Sequence, residues 1–278
     1  MTVTECLQDF TEALSPIYEA REARQMARWV LEEVVGLPSH QLSFDRFRIL
    51  TTDQHQLLQA HLHRLQQHEP IQYVLGYAEF FGYRFKVNQD VLIPRPETET
   101  LLHYALERLP QHTLSVLDIG TGSGCLAIGC KKQRPAYNVT AVDISEAAIE
   151  VAKANAVDLN VSVDFRKMDI LEEHPKNQYD VIFSNPPYIG LNEKKLMRDN
   201  VLRYEPHLAL FSEDPLLFYK RIAVLLPEIL QPGGQVFLEL NEHYSAVIEQ
   251  CYKPLGGRTE IVNDLYEKPR ILHYQSKY

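Results

Sequence analysis

A buried strand running directly into a glycine turn constrains this chain more than any other feature. Val116-Leu117-Asp118-Ile119 leads into Gly120-Thr121-Gly122-Ser123-Gly124, and a helical stretch follows. Glycines allow the backbone to approach a ligand closely and to adopt conformations closed to other residues. Such a turn sets backbone N–H groups and a helix N-terminus beside a bound molecule, which suits a phosphate or the carboxylate of a methionine moiety. Spacing narrows the choice. A dinucleotide fingerprint reads G-x-G-x-x-G, whereas the pattern here is G-x-G-x-G, with Cys125 at the third dinucleotide position. No Gly-Lys-Ser/Thr follows, so a P-loop is excluded.

The strand belongs to a series. After Pro110, apolar runs at residues 114–119, 139–142, 161–165, 181–183 and 236–240 read as strands. Stretches such as 147–155 and 216–230 read as helices. Strands alternating with helices imply right-handed βαβ units and an α/β fold whose parallel sheet is covered on both faces.

Upstream the pattern is helical. Val3, Leu7, Phe10 and Leu14 recur at helical spacing until Ser15-Pro16. A longer stripe of Ala20, Ala23, Ala27, Val30, Leu31 and Val34 stops at Gly36, with Pro38 beyond it. A further helix starts near Thr52-Asp53 and is expected to bury Leu57, Leu58, Leu62 and Leu65. Residues 1–70 are therefore read as a small helical domain, either one for substrate recognition or a passive stabilising cap. From Pro70 the period changes: Tyr83, Phe85 and Val87 alternate with Arg84 and Lys86, a strand with one wet face. A β-hairpin linker is expected over 71–95 and the main domain over 96–278. Pro96 opens a helix with Glu97 and Glu99 in its first turn, as an N1 proline and the helix dipole favour.

Two aspartates stand where a nucleoside needs acceptors. Asp143 ends the strand after the glycine turn, where a carboxylate accepts from both ribose hydroxyls and repels a 2′-phosphate. Asp169 follows the third strand and could accept from an adenine amino group, with Ile170 packing on the ring. Either acid alone reads equally as a cap or turn residue. In this order, with the turn, they point to S-adenosyl-L-methionine as cofactor.

The most informative residues are Asn185-Pro186-Pro187-Tyr188, directly after the strand that carries Val181. Consecutive prolines stiffen the backbone. The Asn185 side-chain oxygen and the Pro186 carbonyl can then accept the two N–H bonds of a flat amide or exocyclic amine, while Tyr188 offers a ring to stack on it. Arg95 and Glu97 are candidates for positioning a loop over this site, against the plainer alternative of an ion pair at a helix start.

The formal charge of −9 argues against life on a nucleic-acid backbone. The cysteines Cys6, Cys125, Cys130 and Cys251 form no Cys-x-x-Cys pair, and nothing reads as a signal peptide or a membrane span. A reduced, cytoplasmic, monomeric enzyme without a metal site, without direct nucleic-acid or membrane binding, is expected.

From about residue 70 onward the chain resembles the release-factor glutamine methyltransferases, the HemK/PrmC family. The likeness is carried by Gln72-Tyr73-Val74-Leu75-Gly76, Ile93-Pro94-Arg95-Pro96-Glu97-Thr98-Glu99, the 120–124 turn, Asn185-Pro186-Pro187-Tyr188 and Arg203-Tyr204-Glu205-Pro206. The resemblance implies a Rossmann-like class I methyltransferase sheet, a small helical N-terminal domain and a linking hairpin. It implies as substrate the glutamine of the Gly-Gly-Gln motif in class 1 peptide chain release factors, methylated on its side-chain nitrogen. It also implies that Gly120, Thr121, Gly122, Ser123, Gly124, Asp143, Asp169, Ile170 and Asn185 line the cofactor. Residues 185–188 would hold the glutamine. Family members often carry an aromatic residue where Ile170 stands, so packing is the expected role there. The segment Asp264-Leu265-Tyr266-Glu267-Lys268-Pro269-Arg270 lacks the family's glycine. Two related activities remain open: methylation of a glutamine in a ribosomal protein, and methylation of a flipped adenine.

Overall fold

The computed structural model describes residues 1–277, side chains at 39, 43 and 196 excepted; residue 278, the end of the expected main domain, lies outside them. The chain divides into two units. The smaller comprises residues 1–76 and 198–204. Its helices are α1 (Val3–Leu14), α2 (Ala20–Val35), α3 (Ser39–Phe44), α4 (Thr52–Gln66) and α5 (Ile71–Leu75). Both α1 and α4 open on a capping box, Thr2 with Glu5 and Thr51 with Gln54, which satisfies N-terminal donors reciprocally. Their apolar stripes close one core containing Phe10, Leu14, Ala27, Leu31, Leu58 and Leu65. Leu57 departs from expectation and is 47% exposed. The stripe of α4 advances from Leu58 to Leu62 to Leu65, and Leu57 falls about 100° away from it. Arg64 fastens the end of this unit, pairing with Glu69 at 2.6 Å and donating to the carbonyls of Tyr73 and Val74.

The larger unit begins with a hairpin, β1 (Tyr77–Phe80) and β2 (Tyr83–Lys86), turned through Phe81 and Gly82, both at positive φ. It is not a free-standing linker over 71–95. The short helix α5 belongs to the smaller unit, while Phe80 and Phe85 are buried among Leu101, Leu102 and Ala127 of the larger one. Then follow α6 (Pro96–Arg108), β3 (Ser115–Ile119), α7 (Cys125–Gln133), β4 (Asn138–Asp143), α8 (Glu146–Asp158), β5 (Asp164–Lys167), β6 (Tyr179–Ser184) and β7 (Ile189–Gly190). Helix α9 (Asp199–Tyr204) groups with the smaller unit, its Tyr204 hydroxyl donating to the Gln67 carbonyl at 2.7 Å. The expected span 96–278 is interrupted there. The chain returns with α10 (His207–Leu210), β8 (Phe211–Ser212), α11 (Leu217–Ile229), β9 (Leu230–Glu239), α12 (Ser245–Tyr252), β10 (Arg258–Asn263) and β11 (Pro269–Gln275).

Seven strands form the main sheet in the order β10-β11-β9-β6-β3-β4-β5. The sheet is not wholly parallel: β11 runs antiparallel to both β9 and β10. These two strands escape a search for apolar runs because Arg258, Glu260, Arg270 and His273 interrupt them. The edge strand β5 also lies later than residues 161–165, on a polar segment whose side chains are half-exposed or exposed. One face of the sheet carries the hairpin, α6 and α7; the other carries Tyr219, Ile222 and Ile229 of α11 with Ile248 and Tyr252 of α12.

The order reverses between β3 and β6, the switch point where α/β sheets open a crevice beyond their strand ends. Register places the site there. Ile119 lies opposite both Val142 and Ser184, and Ser184 opposite Leu238. One residue further on, Asp143, Gly120, Asn185 and Glu239 form a row across the carboxyl end of the sheet.

Candidate active site

A single pocket of the larger unit collects most of the residues read from the sequence. Arg95, Gly120, Thr121, Gly122, Ser123, Asp143, Asp169, Ile170, Asn185, Pro186 and Pro187 all line it. Gly124, Glu97 and Tyr188 do not belong to that lining.

The glycine turn works by shape more than by donors. Gly120 and Thr121 both donate their N–H to the Val142 carbonyl, Gly122 donates to Asp143 Oδ2 at 2.9 Å, and Gly124 donates to the Thr121 carbonyl. Four of the five turn amides are thus spent inside the protein, where the sequence had suggested free donors. A β carbon on Gly120 or Gly122 would meet nothing within 4 Å, and both residues sit at positive φ, 73° and 53°. Their missing side chains leave room in the pocket. Gly124 has a different reason to be glycine. A β carbon there would stand 2.9 Å from Ile128 Cδ1 and 3.1 Å from Ala152 Cβ, so this residue lets α7 lie close to α8.

Asp143 is held by the turn it serves. Oδ2 takes the Gly122 N–H and Oδ1 the Ser145 N–H, each at 2.9 Å. Each carboxylate oxygen keeps a further lone pair for an outside donor. Burial pushes its pKa up from the usual carboxylate range, against the pull of those backbone donors. Asp169 Oδ1 accepts from the Leu171 N–H at 2.9 Å, which orients the second acid. Ile170 is buried among Val142, Leu225 and Leu226. The donor set therefore fits S-adenosyl-L-methionine. It offers acceptors for hydroxyl and amino groups, apolar walls such as Ile119, Val142 and Phe218, and carboxylates in place of the cations a 2′-phosphate would need.

Asn185 and the Pro186-Pro187 corner face this pocket from the end of β6. The Asn185 amide donates through Nδ2 to Thr98 Oγ1 at 3.1 Å. Thr98 in turn donates to Glu239 Oε2 at 2.6 Å, and Tyr188 donates from its hydroxyl to Glu239 Oε1 at 3.0 Å. The Tyr188 hydroxyl is thus turned to an internal carboxylate. It needs a partner once the ring is packed against the sheet, and burial beside Glu239 pushes its pKa well above the ordinary value. Nor does Arg95 pair with Glu97. It grips Glu205 with contacts of 2.6 and 2.7 Å, and Glu205 also accepts the Ile93 N–H at 3.3 Å.

Four contributors were not read from the sequence. Asp118, fully buried on β3, accepts from Thr121 Oγ1 at 2.7 Å, and burial pushes its pKa up to about 7. Asn155 on α8 donates to the carbonyls of Ser123 and Lys86, tying the turn to the hairpin. Thr98 and Glu239 complete the set. A carboxylate embedded in Val236-Phe237-Leu238-Glu239-Leu240 was the available signal, since an acid in a buried run needs partners.

A pocket at the switch point lined by a glycine turn, two aspartates and an asparagine-proline corner defines a class I methyltransferase. A family model described as "Methyltransferase small domain" matches residues 98–203, and one described as "PrmC N-terminal domain" matches residues 5–76. The crystal structure of a methyltransferase from Pyrococcus furiosus shares the fold, with a TM-score of 0.54 and 22% identity, covering 71% of this chain and 91% of that one. A release factor glutamine methyltransferase of Bacteroides thetaiotaomicron is 40% identical over 94% of this chain and 95% of its own. The protein of the same name from Flavobacterium psychrophilum is 39% identical over 95% of each chain. The chain belongs to the release factor glutamine methyltransferase family.

Proposed function

We propose that this enzyme transfers the methyl group of S-adenosyl-L-methionine to the side-chain amide nitrogen of the glutamine in the Gly-Gly-Gln motif of class 1 peptide chain release factors. The register across the sheet carries the reading: Asn185 and its proline corner open into the same pocket as Asp143 and the glycine turn. When bound, the cofactor supplies an electrophilic methyl group on a sulfonium. Gly120, Thr121, Gly122 and Ser123 would shape its seat, Asp143 would accept from the ribose hydroxyls, Asp169 from the adenine amino group, and Ile170 would pack on the ring. Gly124 supports this seat from behind.

An amide nitrogen is a poor nucleophile because its lone pair is delocalised into the carbonyl. Asn185 Oδ1 and the Pro186 carbonyl would accept its two N–H bonds and hold it in line for displacement. Positioning of this kind contributes up to ~7–11 kcal/mol in favourable intramolecular cases. No strong base is required beforehand, since the nitrogen becomes very acidic once alkylated and its proton leaves to solvent or along the acceptor carbonyl. Arg95, fixed by Glu205, would shape the pocket wall, and Tyr188 would anchor the far end of the corner. The helical unit of residues 1–76 would recognise the release factor, in the cytoplasm, where translation termination occurs. No helix among the described residues is long and apolar enough to cross a membrane.

The test is a labelling assay. With radiolabelled cofactor, the purified protein should methylate a class 1 release factor but not its Gln→Ala variant in the Gly-Gly-Gln loop. Equal labelling of both, or labelling of a ribosomal protein or DNA in their place, would reject the assignment.

A further inference from the structure

Asn185 serves as an acceptor only when its amide is turned so that Oδ1, and not the NH₂, faces the substrate. A primary amide has nearly the same shape in either orientation, so something outside it must choose. The choice is made by Thr98, at the pocket wall, and by Glu239 behind it. Thr98 is 2% exposed and Glu239 1%, so neither is solvated and each must be satisfied by the protein. In its ionised form Glu239 only accepts, and it takes one hydroxyl on each oxygen, Thr98 on Oε2 and Tyr188 on Oε1. The single hydroxyl hydrogen of Thr98 is committed to that 2.6 Å contact, leaving its oxygen able only to accept toward Asn185. It therefore pairs with Nδ2, as the 3.1 Å contact has it, and Oδ1 is left for the pocket.

We propose that Thr98 and Glu239 are positioning residues that set the flip of the Asn185 amide, with Glu239 holding both ends of the Asn185-Pro186-Pro187-Tyr188 corner. Without the carboxylate, the Thr98 hydroxyl is free to donate to Oδ1, and the amide can turn its NH₂ against the substrate NH₂. The end of β9 strengthens the hold: Asn241, two residues beyond Glu239, donates from Nδ2 to the Tyr188 carbonyl at 3.2 Å. The inference rests on the reading of Asn185 as substrate acceptor given above.

Three variants of the full chain test it: Thr98→Val, Thr98→Ser and Glu239→Met. Thr98→Val keeps the shape and removes the hydroxyl, and should lower kcat about 100-fold with the cofactor Kd unchanged within about threefold, as when one preorganised contact to the reacting group is lost. Thr98→Ser restores the hydroxyl and should restore most of the turnover. Glu239→Met should lower kcat at least as far as Thr98→Val does. Wild-type kcat in Thr98→Val or Glu239→Met, a serine variant as impaired as the valine variant, or a loss confined to cofactor affinity would overturn the proposal. Should Glu239→Met not fold, the two Thr98 variants still decide. A second readout needs no substrate. The Asn185 side-chain amide protons should exchange with water at least about tenfold faster in Thr98→Val than in the wild type, because an internal hydrogen bond is lost; equal exchange overturns the proposal. A wild-type enzyme that labels no release factor would instead reject the substrate assignment and leave this exchange test standing.

Discussion

Asp143 Oδ2 accepts the Gly122 N–H at 2.9 Å, so the acid at the end of β4 and the glycine turn after β3 form one hydrogen-bonded unit. Removing the carboxylate therefore removes an acceptor and loosens the turn together. Asp143→Ala should weaken S-adenosyl-L-methionine binding roughly 10- to 100-fold, the range for losing a hydrogen bond to a charged group. Isothermal titration calorimetry reads this directly. Wild-type affinity in the variant would remove Asp143 from the cofactor site.

Asn185→Ala separates binding from chemistry. Turnover should fall by about 10²–10³ or more, since a preorganised partner of the reacting group is gone. Cofactor affinity should stay within a few-fold, because the turn, Asp143 and Asp169 are untouched. Single-turnover labelling alongside calorimetry checks both, and complete loss of cofactor binding would contradict the division of labour.

Two glycines of one turn should fail in different ways. Gly124→Ala forces a β carbon to 2.9 Å from Ile128 Cδ1 at a φ of +81°, and should destabilise the fold by about 1–3 kcal/mol. Gly122→Ala shares the strain of a positive φ, at +53°, but meets no atom within 4 Å and narrows the pocket, so its loss should fall more on cofactor affinity. Thermal melts with and without cofactor distinguish them. Equal behaviour of the two variants would merge the roles assigned here.

Asp118 and Glu239 make stability depend on pH in an unusual sense. Burial raises both to about 7, from ordinary values of 3.8 and 4.5. Between those limits the folded protein holds protons that the unfolded chain releases, so stability declines as pH rises from about 4 to 7 and levels above it. Glu239 is faced by Thr98 and Glu97 of α6, by Arg95 just before it, and by the hydroxyl of Tyr188, while Tyr219 donates to its carbonyl. His273, lowered to about 4 by burial, opposes this trend, since the unfolded chain takes its proton first as pH falls. The comparison that isolates the acid is between wild type and Asp118→Asn. The decline in Tm from pH 5 to pH 8 should be shallower in the variant, and identical slopes would show that Asp118 is ionised throughout.

Much of the site was legible because it lies at strand ends, where short motifs report local geometry. The Gly120 turn, Asp143 and Asn185 each follow a strong apolar strand, and the periodicity of those strands is set by the residues themselves. Strands β10 and β11 were not legible. Their pairing is antiparallel and partly exposed, and Arg258, Glu260 and His273 break the apolar pattern that marks a buried strand. Leu57 shows the converse limit, since a helical period says which residues share a face but not how wide a face its neighbours cover.

The sequence by itself determined the α/β order, the glycine turn and the acceptor corner, because these depend on contacts within a few residues along the chain. Only the tertiary structure decided what lies behind them. Arg95 meets Glu205 across 110 positions, and Thr98 meets Glu239 across 141. A buried charge must find its partner in space, and no local spacing records which distant strand or helix will bring that partner.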